Sequence, residues 1–181
     1  MITPMPEILL VRHAKSFANA RDFTAFGNRE SPLMEKGVRQ ARNLRRLFKD
    51  EYDILPEQYT SPVYSSEFTR TQETAKYAGF CHIKISGVIN ESDLESERIG
   101  GTYAVSKHAR EKWAPDETME RATRFIQLVR DGKLEGSIFF THGLFIAATM
   151  LHLSEEAQIN GHAFPHQFHQ TRGYIPRLAS I

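Results

Sequence analysis

Three short apolar runs in this chain end in residues suited to handling a phosphoryl group. Ile8 to Val11 leads into Arg12-His13, Pro62 to Tyr64 into Ser65-Ser66 and then Arg70, and Ile138 to Phe140 into Thr141-His142. A phosphoryl group needs hydrogen-bond donors on its oxygens, and Arg12 and Arg70 would supply permanently charged, planar forks able to grip it two oxygens at a time. Two histidines, His13 and His142, could then flank it. The condition is geometric: the three runs must be parallel neighbours, so that their carboxyl ends meet.

The elements around these residues predict that arrangement. A continuous apolar run ending in charge, such as Ile8-Leu9-Leu10-Val11, reads as a strand covered on both faces. From Met34 to Phe48, Val38, Ala41, Leu44, Leu47 and Phe48 recur at helical spacing, with Ser31 and Pro32 as start signals. Phe68, Thr71, Ala75 and Ala78 mark a second helix ending before Gly79, and His82 to Ile89 alternates as a strand nearer the sheet edge. Asp116 can cap a third helix with Met119, Ala122, Phe125, Ile126 and Val129 on one stripe, ending at Asp131-Gly132. Leu144 to Leu151 is apolar almost all round, which predicts a buried helix.

Strands and helices thus alternate, which predicts an α/β fold with a mostly parallel sheet and helices on both faces, in which ligands bind beyond the carboxyl ends of the strands. The stretch from Asn160 to Ile181 loses periodicity and reads as a loop, a short edge strand or a mobile tail. With 181 residues and no visible linker, a single domain over residues 1–181 is expected.

Composition narrows the function from another side. Lys plus Arg at 23 against Asp plus Glu at 22 leaves a net charge of +1, which argues against a nucleic-acid partner. Arg39, Arg42, Arg45, Arg46 and Lys49 read as the solvated face of the first helix. One cysteine, Cys81, rules out an internal disulfide and a thiolate metal site. Met1 to Ser16 has no basic stretch before its apolar run, and no segment reaches membrane-spanning length, so a cytoplasmic protein without a membrane partner is expected. His162, His166 and His169 lack a scaffold that would make them metal ligands, and Trp113 reads as a packing residue.

Arg12-His13-Ala14-Lys15-Ser16-Phe17-Ala18-Asn19 resembles the N-terminal signature of the histidine phosphatase superfamily, also called phosphoglycerate mutase-like. Other motifs follow in that family's order. Pro32-Leu33 with Gly37 and Gln40-Ala41 resembles the second, Tyr64-Ser65-Ser66 with Arg70-Thr71 and Thr74-Ala75 the third, and Phe140-Thr141-His142-Gly143 the last. Glu117 with Arg124-Phe125 is similar to the helix before the last strand. The matches span residues 7 to 146; Ala14 stands where many members have glycine, and Met34 where Thr or Ser is usual.

The resemblance implies a three-layer α/β sandwich and a metal-independent phosphatase without a cofactor. It further implies that His13 is the nucleophile, forming a phosphohistidine, and that Arg12, Arg70 and His142 bind the phosphoryl oxygens. Ser16 and Asn19 would line the phosphate pocket. Glu91, in Ile89-Asn90-Glu91, would be the general acid, with Glu95 and Glu97 as neighbours open to the same role. The expected activity is that of a histidine acid phosphatase-type phosphoric monoester hydrolase acting on a small phosphorylated metabolite or a phosphoprotein.

Three alternatives accompany it. One is a phosphoglycerate mutase, although the chain departs from the mutase segment after Glu91. Another is a phosphate-binding module without turnover. The third is a protein phosphohistidine phosphatase, since Arg12 to Ser16 resembles the signal-inhibitory bacterial group. The substrate itself is set by residues 104–115 and the C-terminal tail, and neither substrate nor oligomeric state is legible in the sequence.

Overall fold

The computed structural model describes residues 8–20, 27–91, 116–136, 138–159, 167–169 and 175–178. Strands β1 (Ile8–Arg12), β2 (Val63–Ser65), β3 (Ile83–Ile85), β4 (Ile138–Thr141), β5 (Gln167–His169) and β6 (Ile175–Leu178) form one sheet in the order β3-β2-β4-β1-β6-β5. The first four are mutually parallel; β6 pairs antiparallel with β1, and β5 antiparallel with β6. Four helices accompany them: α1 (Glu35–Tyr52), α2 (Thr69–Tyr77), α3 (Asp116–Arg130) and α4 (Gly143–Ile159).

The apolar runs are continuous because both faces of the sheet are covered. Ile8, Leu10 and Phe139 point into a cluster with Phe125 and Ile126 of α3 and Phe145 and Ala148 of α4. Their neighbours Leu9, Val11, Ile138 and Phe140 point the other way, against Leu44 and Phe48 of α1 and Ala75 of α2. This alternation is the two-residue period of a strand with both faces apolar. Each fully buried phenylalanine or isoleucine contributes about 1.5–3 kcal/mol. The central strands are therefore the most firmly held part of the scaffold, and the site is built on their ends.

The differences from the sequence reading have physical causes. Helix α1 starts at Glu35, with Met34 as its uncapped flank, rather than at the Ser31-Pro32 signal. Ser31 is engaged elsewhere: its Oγ accepts the Ala18 N–H at 2.7 Å. Leu33 bridges Ser16, and Lys15 O accepts the Met34 N–H, so residues 31–34 brace the loop after β1 before the helix begins. The run from His82 is a strand only to Ile85, followed by a single 3-10 turn at Gly87–Ile89. In the tail, β5 is an edge strand as one reading allowed, whereas β6 lies inside the sheet between β1 and β5.

Gly37 explains how tightly α1 approaches that loop: a Cβ there would stand 2.0 Å from the carbonyl oxygen of Lys15. Only a residue without a side chain allows the contact. On the outward side, Arg39 pairs with Glu35, Arg45 with Glu57, and Arg42 lies over the Tyr77 ring, as a solvated face does. Among the described residues no helix is long and apolar enough to cross a membrane.

Candidate active site

Parallel pairing places Arg12 opposite Thr141 and Ser65 opposite Phe140, so three adjacent strands stop at one level. The residues next in sequence, His13, Ser66 and His142, therefore emerge together at the carboxyl edge of the sheet. The ladder continues one step beyond the strands, with His13 N–H donating to Thr141 O at 2.9 Å and Ser66 N–H to Phe140 O at 3.0 Å. Arg70 reaches the same place from the first turn of α2, and Glu91 from just after the 3-10 turn.

The centre is closed to solvent. Arg70 is 1% exposed, His142 0%, and His13 and Glu91 6% each. His13 Nδ1 lies 2.8 Å from Ala14 O, which can only accept, so this nitrogen carries the hydrogen and Nε2 keeps its lone pair. Arg70 Nε donates to that lone pair at 3.2 Å. The same guanidinium places Nη2 at 3.4 Å from His142 Nδ1 and 3.6 Å from Glu91 Oε2. Its Nη1 donates to Asn28 O at 2.7 Å and Asn28 Oδ1 at 3.2 Å, and its plane lies over the Phe68 ring.

Glu91 is fixed from three sides. Its Oε1 accepts the Leu144 N–H at the start of α4 at 3.2 Å, its Oε2 stands 3.5 Å from His142 Nδ1, and its carbonyl accepts from Arg121 Nη1 at 3.0 Å. Arg12 is exposed, and its guanidinium rests on Gly143, where a Cβ would come within 3.2 Å of Nε. The glycine of Thr141-His142-Gly143 is thus what lets Arg12 lie across the head of α4.

Burial, followed by the charge of Arg70 and then of Arg12, lowers the pKa of His13 to about 3, against the Ala14 hydrogen bond that raises it. His142 is also held well below 6.5, by burial first and then by His13, Arg70, Arg12 and Arg121. Both imidazoles are consequently neutral near pH 7. The unfolded chain binds protons near pH 6.5 that the native His13 refuses until about pH 3. This contribution to stability is full above pH 6.5 and is lost as pH falls through that window. The expected slope is about 1.4 kcal/mol per pH unit for each such histidine. Urea unfolding from pH 7 to pH 5 should show it, and His13→Gln should flatten the dependence.

The four residues expected to work together, His13, Arg70, Glu91 and His142, are brought together, with Arg12 at the rim. Ser16 and Asn19 make their hydrogen bonds to each other, Asn19 Oδ1 accepting from Ser16 N–H at 3.0 Å and from Ser16 Oγ at 3.1 Å, and not to His13, Arg70 or His142. Glu95, Glu97, Trp113 and residues 104–115 lie outside the described residues, as do His162 and His166; His169 falls in β5.

Three contributors were given no place in the site by the sequence reading. Asn28 holds Arg70 from a stretch without periodicity, so nothing in the sequence marked it. Arg121 anchors the Glu91 backbone from α3 and could have been found only by its place on the helix face turned toward that loop. Phe68 lies under both Arg70 and His142, with its ring 4.7 Å from the imidazole. The other motif residues act as braces: Thr74 Oγ1 accepts the Ala14 N–H at 3.0 Å, and Gln40 Oε1 accepts the Lys15 N–H at 3.0 Å.

His13, Glu91 and His142 also have donor atoms within 4.8 Å of one another, the spacing a shared metal ion needs. The Arg70 guanidinium already stands among those atoms, however. A group that draws the guanidinium toward itself, an anion, fits this arrangement better than a second cation.

Comparison with known proteins agrees with the geometry. The family model of the histidine phosphatase superfamily, branch 1, matches residues 8–173. Phosphoserine phosphatase from Entamoeba histolytica, solved with 3-phosphoglyceric acid, has a TM-score of 0.60 at 17% identity over 97% of this chain and 96% of that one. A single-substitution variant of a Thermus thermophilus protein gives 0.55 at 25% identity over 96% and 98%. A mycobacterial glucosyl-3-phosphoglycerate phosphatase complexed with VO3 gives 0.51 at 17% identity over 83% and 81%. A comparison with curated proteins gave no match.

Proposed function

Because the chain belongs to the histidine phosphatase superfamily, branch 1, we propose that it hydrolyses phosphomonoesters, without a metal, through a phosphohistidine formed on His13. The observation that carries this reading is the His13 ring itself. It is neutral, oriented by Ala14, and turns a bare Nε2 toward a guanidinium fork, a second histidine and a carboxylate.

The chemistry follows from those atoms. A phosphoryl group entering the pocket takes the Arg70 fork and the Arg12 guanidinium on its oxygens, with His142 as a third contact. Moving Arg70 onto phosphate uncovers His13 Nε2, which attacks phosphorus as the ester oxygen departs. Glu91 in its acid form gives that oxygen a proton; as a carboxylate it then takes one from the water that cleaves the N–P bond, releasing inorganic phosphate. The substrate is a small phosphorylated metabolite or an exposed phosphoryl group on a protein.

Glu91→Gln separates this mechanism from its alternatives. On alkyl phosphates, whose leaving oxygens need a proton, the variant should lose on the order of 10²–10⁴-fold in kcat/KM. On an aryl phosphate with an acidic phenol the loss should be much smaller. Equal activity of wild type and variant on alkyl phosphates would remove Glu91 from the acid role and favour a phosphoramidate substrate such as a protein phosphohistidine. Isomerisation of phosphoglycerates that depends on a bisphosphate primer, without phosphate release, would establish a mutase instead.

A further inference from the structure

Behind His142, on the side away from the pocket, lies a chain of hydroxyls from the third motif to which neither the sequence reading nor the mechanism gives a role. Ser66 Oγ is 2.8 Å from His142 Nε2 and 2.7 Å from Thr71 Oγ1. Thr71 Oγ1 is in turn 2.7 Å from Phe68 O, and Phe68 N–H points at Ser66 Oγ from 3.3 Å. Ser66, Thr71 and His142 are all 0% exposed, so these groups must satisfy one another.

The short contacts fix the order of the hydrogens. Phe68 O, which also accepts the Thr71 and Gln72 N–H groups, cannot donate, and at 2.7 Å a hydrogen must lie between it and Thr71 Oγ1, so Thr71 supplies it. Thr71 then turns a lone pair to Ser66, which must give it the single Ser66 hydrogen. That leaves Ser66 with lone pairs toward His142, so the hydrogen between them sits on Nε2. The reverse order, Thr71 to Ser66 to His142, would set a Thr71 lone pair against the carbonyl oxygen of Phe68 at 2.7 Å in a fully buried place.

We propose that Ser66 and Thr71 are positioning residues that lock His142 in its Nε2–H tautomer, so that the nitrogen facing the pocket, Nδ1, carries a lone pair. The two active-site histidines are then opposite tautomers, His13 fixed by a carbonyl and His142 by a hydroxyl relay, each turning a bare nitrogen inward. Arg70 donates to both, through Nε and Nη2. His142 Nδ1 is thereby left ready to accept the hydrogen of a phosphoryl O–H, which the monoanion of a phosphomonoester carries, with Glu91 Oε2 beside it. The catalytic consequence of the lock rests on the phosphatase reading; the lock itself does not.

The test uses the full chain with nitrogen-15-labelled histidine, the His142 signals being assigned by their loss in His142→Gln. The wild-type spectrum should show hydrogen on Nε2 and none on Nδ1. Thr71→Val, which removes the hydroxyl at nearly constant volume, and Ser66→Ala should each give a tautomer mixture. Both should lose about 10–100-fold in kcat/KM on an aryl phosphate. Thr71→Ser should restore both readouts.

Hydrogen on Nδ1 in the wild type would overturn the proposal. So would loss of activity in Thr71→Val with an unchanged His142 spectrum, which would mean a packing role only. If the spectra behave as expected but the wild type releases no phosphate, the phosphatase reading falls and the lock stands.

Discussion

Phosphate release from an aryl phosphate should drop by at least about 10⁴-fold when His13 becomes alanine, and the wild-type rate should be unchanged by excess chelator. The effect is large because His13 is asked to do something no neighbour can do. Arg12 and Arg70 have no lone pair to offer. Glu91 is tied to Leu144 N–H, and the bare nitrogen of His142 lies across Arg70 from His13. Electrostatic grip alone would leave only the residual rate of an enzyme without its nucleophile. Mixing wild type with phosphate-labelled substrate and quenching in base should trap a labelled protein that loses its phosphate in acid, and the variant should trap none. Release that persists in the variant would transfer the reaction to a direct attack by water, and release lost to the chelator would make a metal part of the site.

Arg70→Lys comes next in size, with an expected loss on the order of 10²–10³-fold in kcat/KM although the charge is retained. Arg70 does with one planar group what an ammonium cannot. It donates from Nε to His13 and from Nη1 to Asn28, and it sets Nη2 between His142 and Glu91 while its central carbon lies over the Phe68 ring. A lysine has one nitrogen for all of these directions and no flat face. Inhibition by inorganic phosphate should weaken in parallel, because the same fork holds the oxygens in either case. Measuring urea stability of the variant alongside separates a loss of grip from a loss of fold. A rate within a factor of a few of wild type in a folded Arg70→Lys protein would mean that charge alone suffices and that the fork has no special role.

How far the sequence could be read depended on how strongly each element is constrained. β1, β2 and β4 were legible because burial on both faces demands unbroken apolar runs, and the residues after them could be placed in one site once the strands were taken as parallel neighbours. β3 was overextended: as an edge strand it needs only Ile83 to Ile85, and the apolar Val88 and Ile89 beyond it belong to a turn packed on α3. β6 was missed because Pro176 lies inside it, opposite Phe168, and proline in a short segment reads as a break. Within the site, charge and motif pointed to His13, Arg70, Glu91 and His142. Ser66 and Thr71 also fall in the third motif, but no role could be read for their hydroxyls, since their contribution lies in the order of their hydrogens, which depends on distances across the fold.

One consequence of the Arg70 contacts concerns selectivity at rest. The lone pair of His13 is not exposed to whatever enters; it is already engaged by Arg70 Nε. A neutral electrophile has nothing to offer the guanidinium and meets a masked nucleophile, whereas a tetrahedral dianion competes for the arginine and bares the nitrogen by its own arrival. In the proposed mechanism the side chain that grips the phosphoryl group thus also shelters the site from stray alkylation and acylation, and recognition and unmasking are one event.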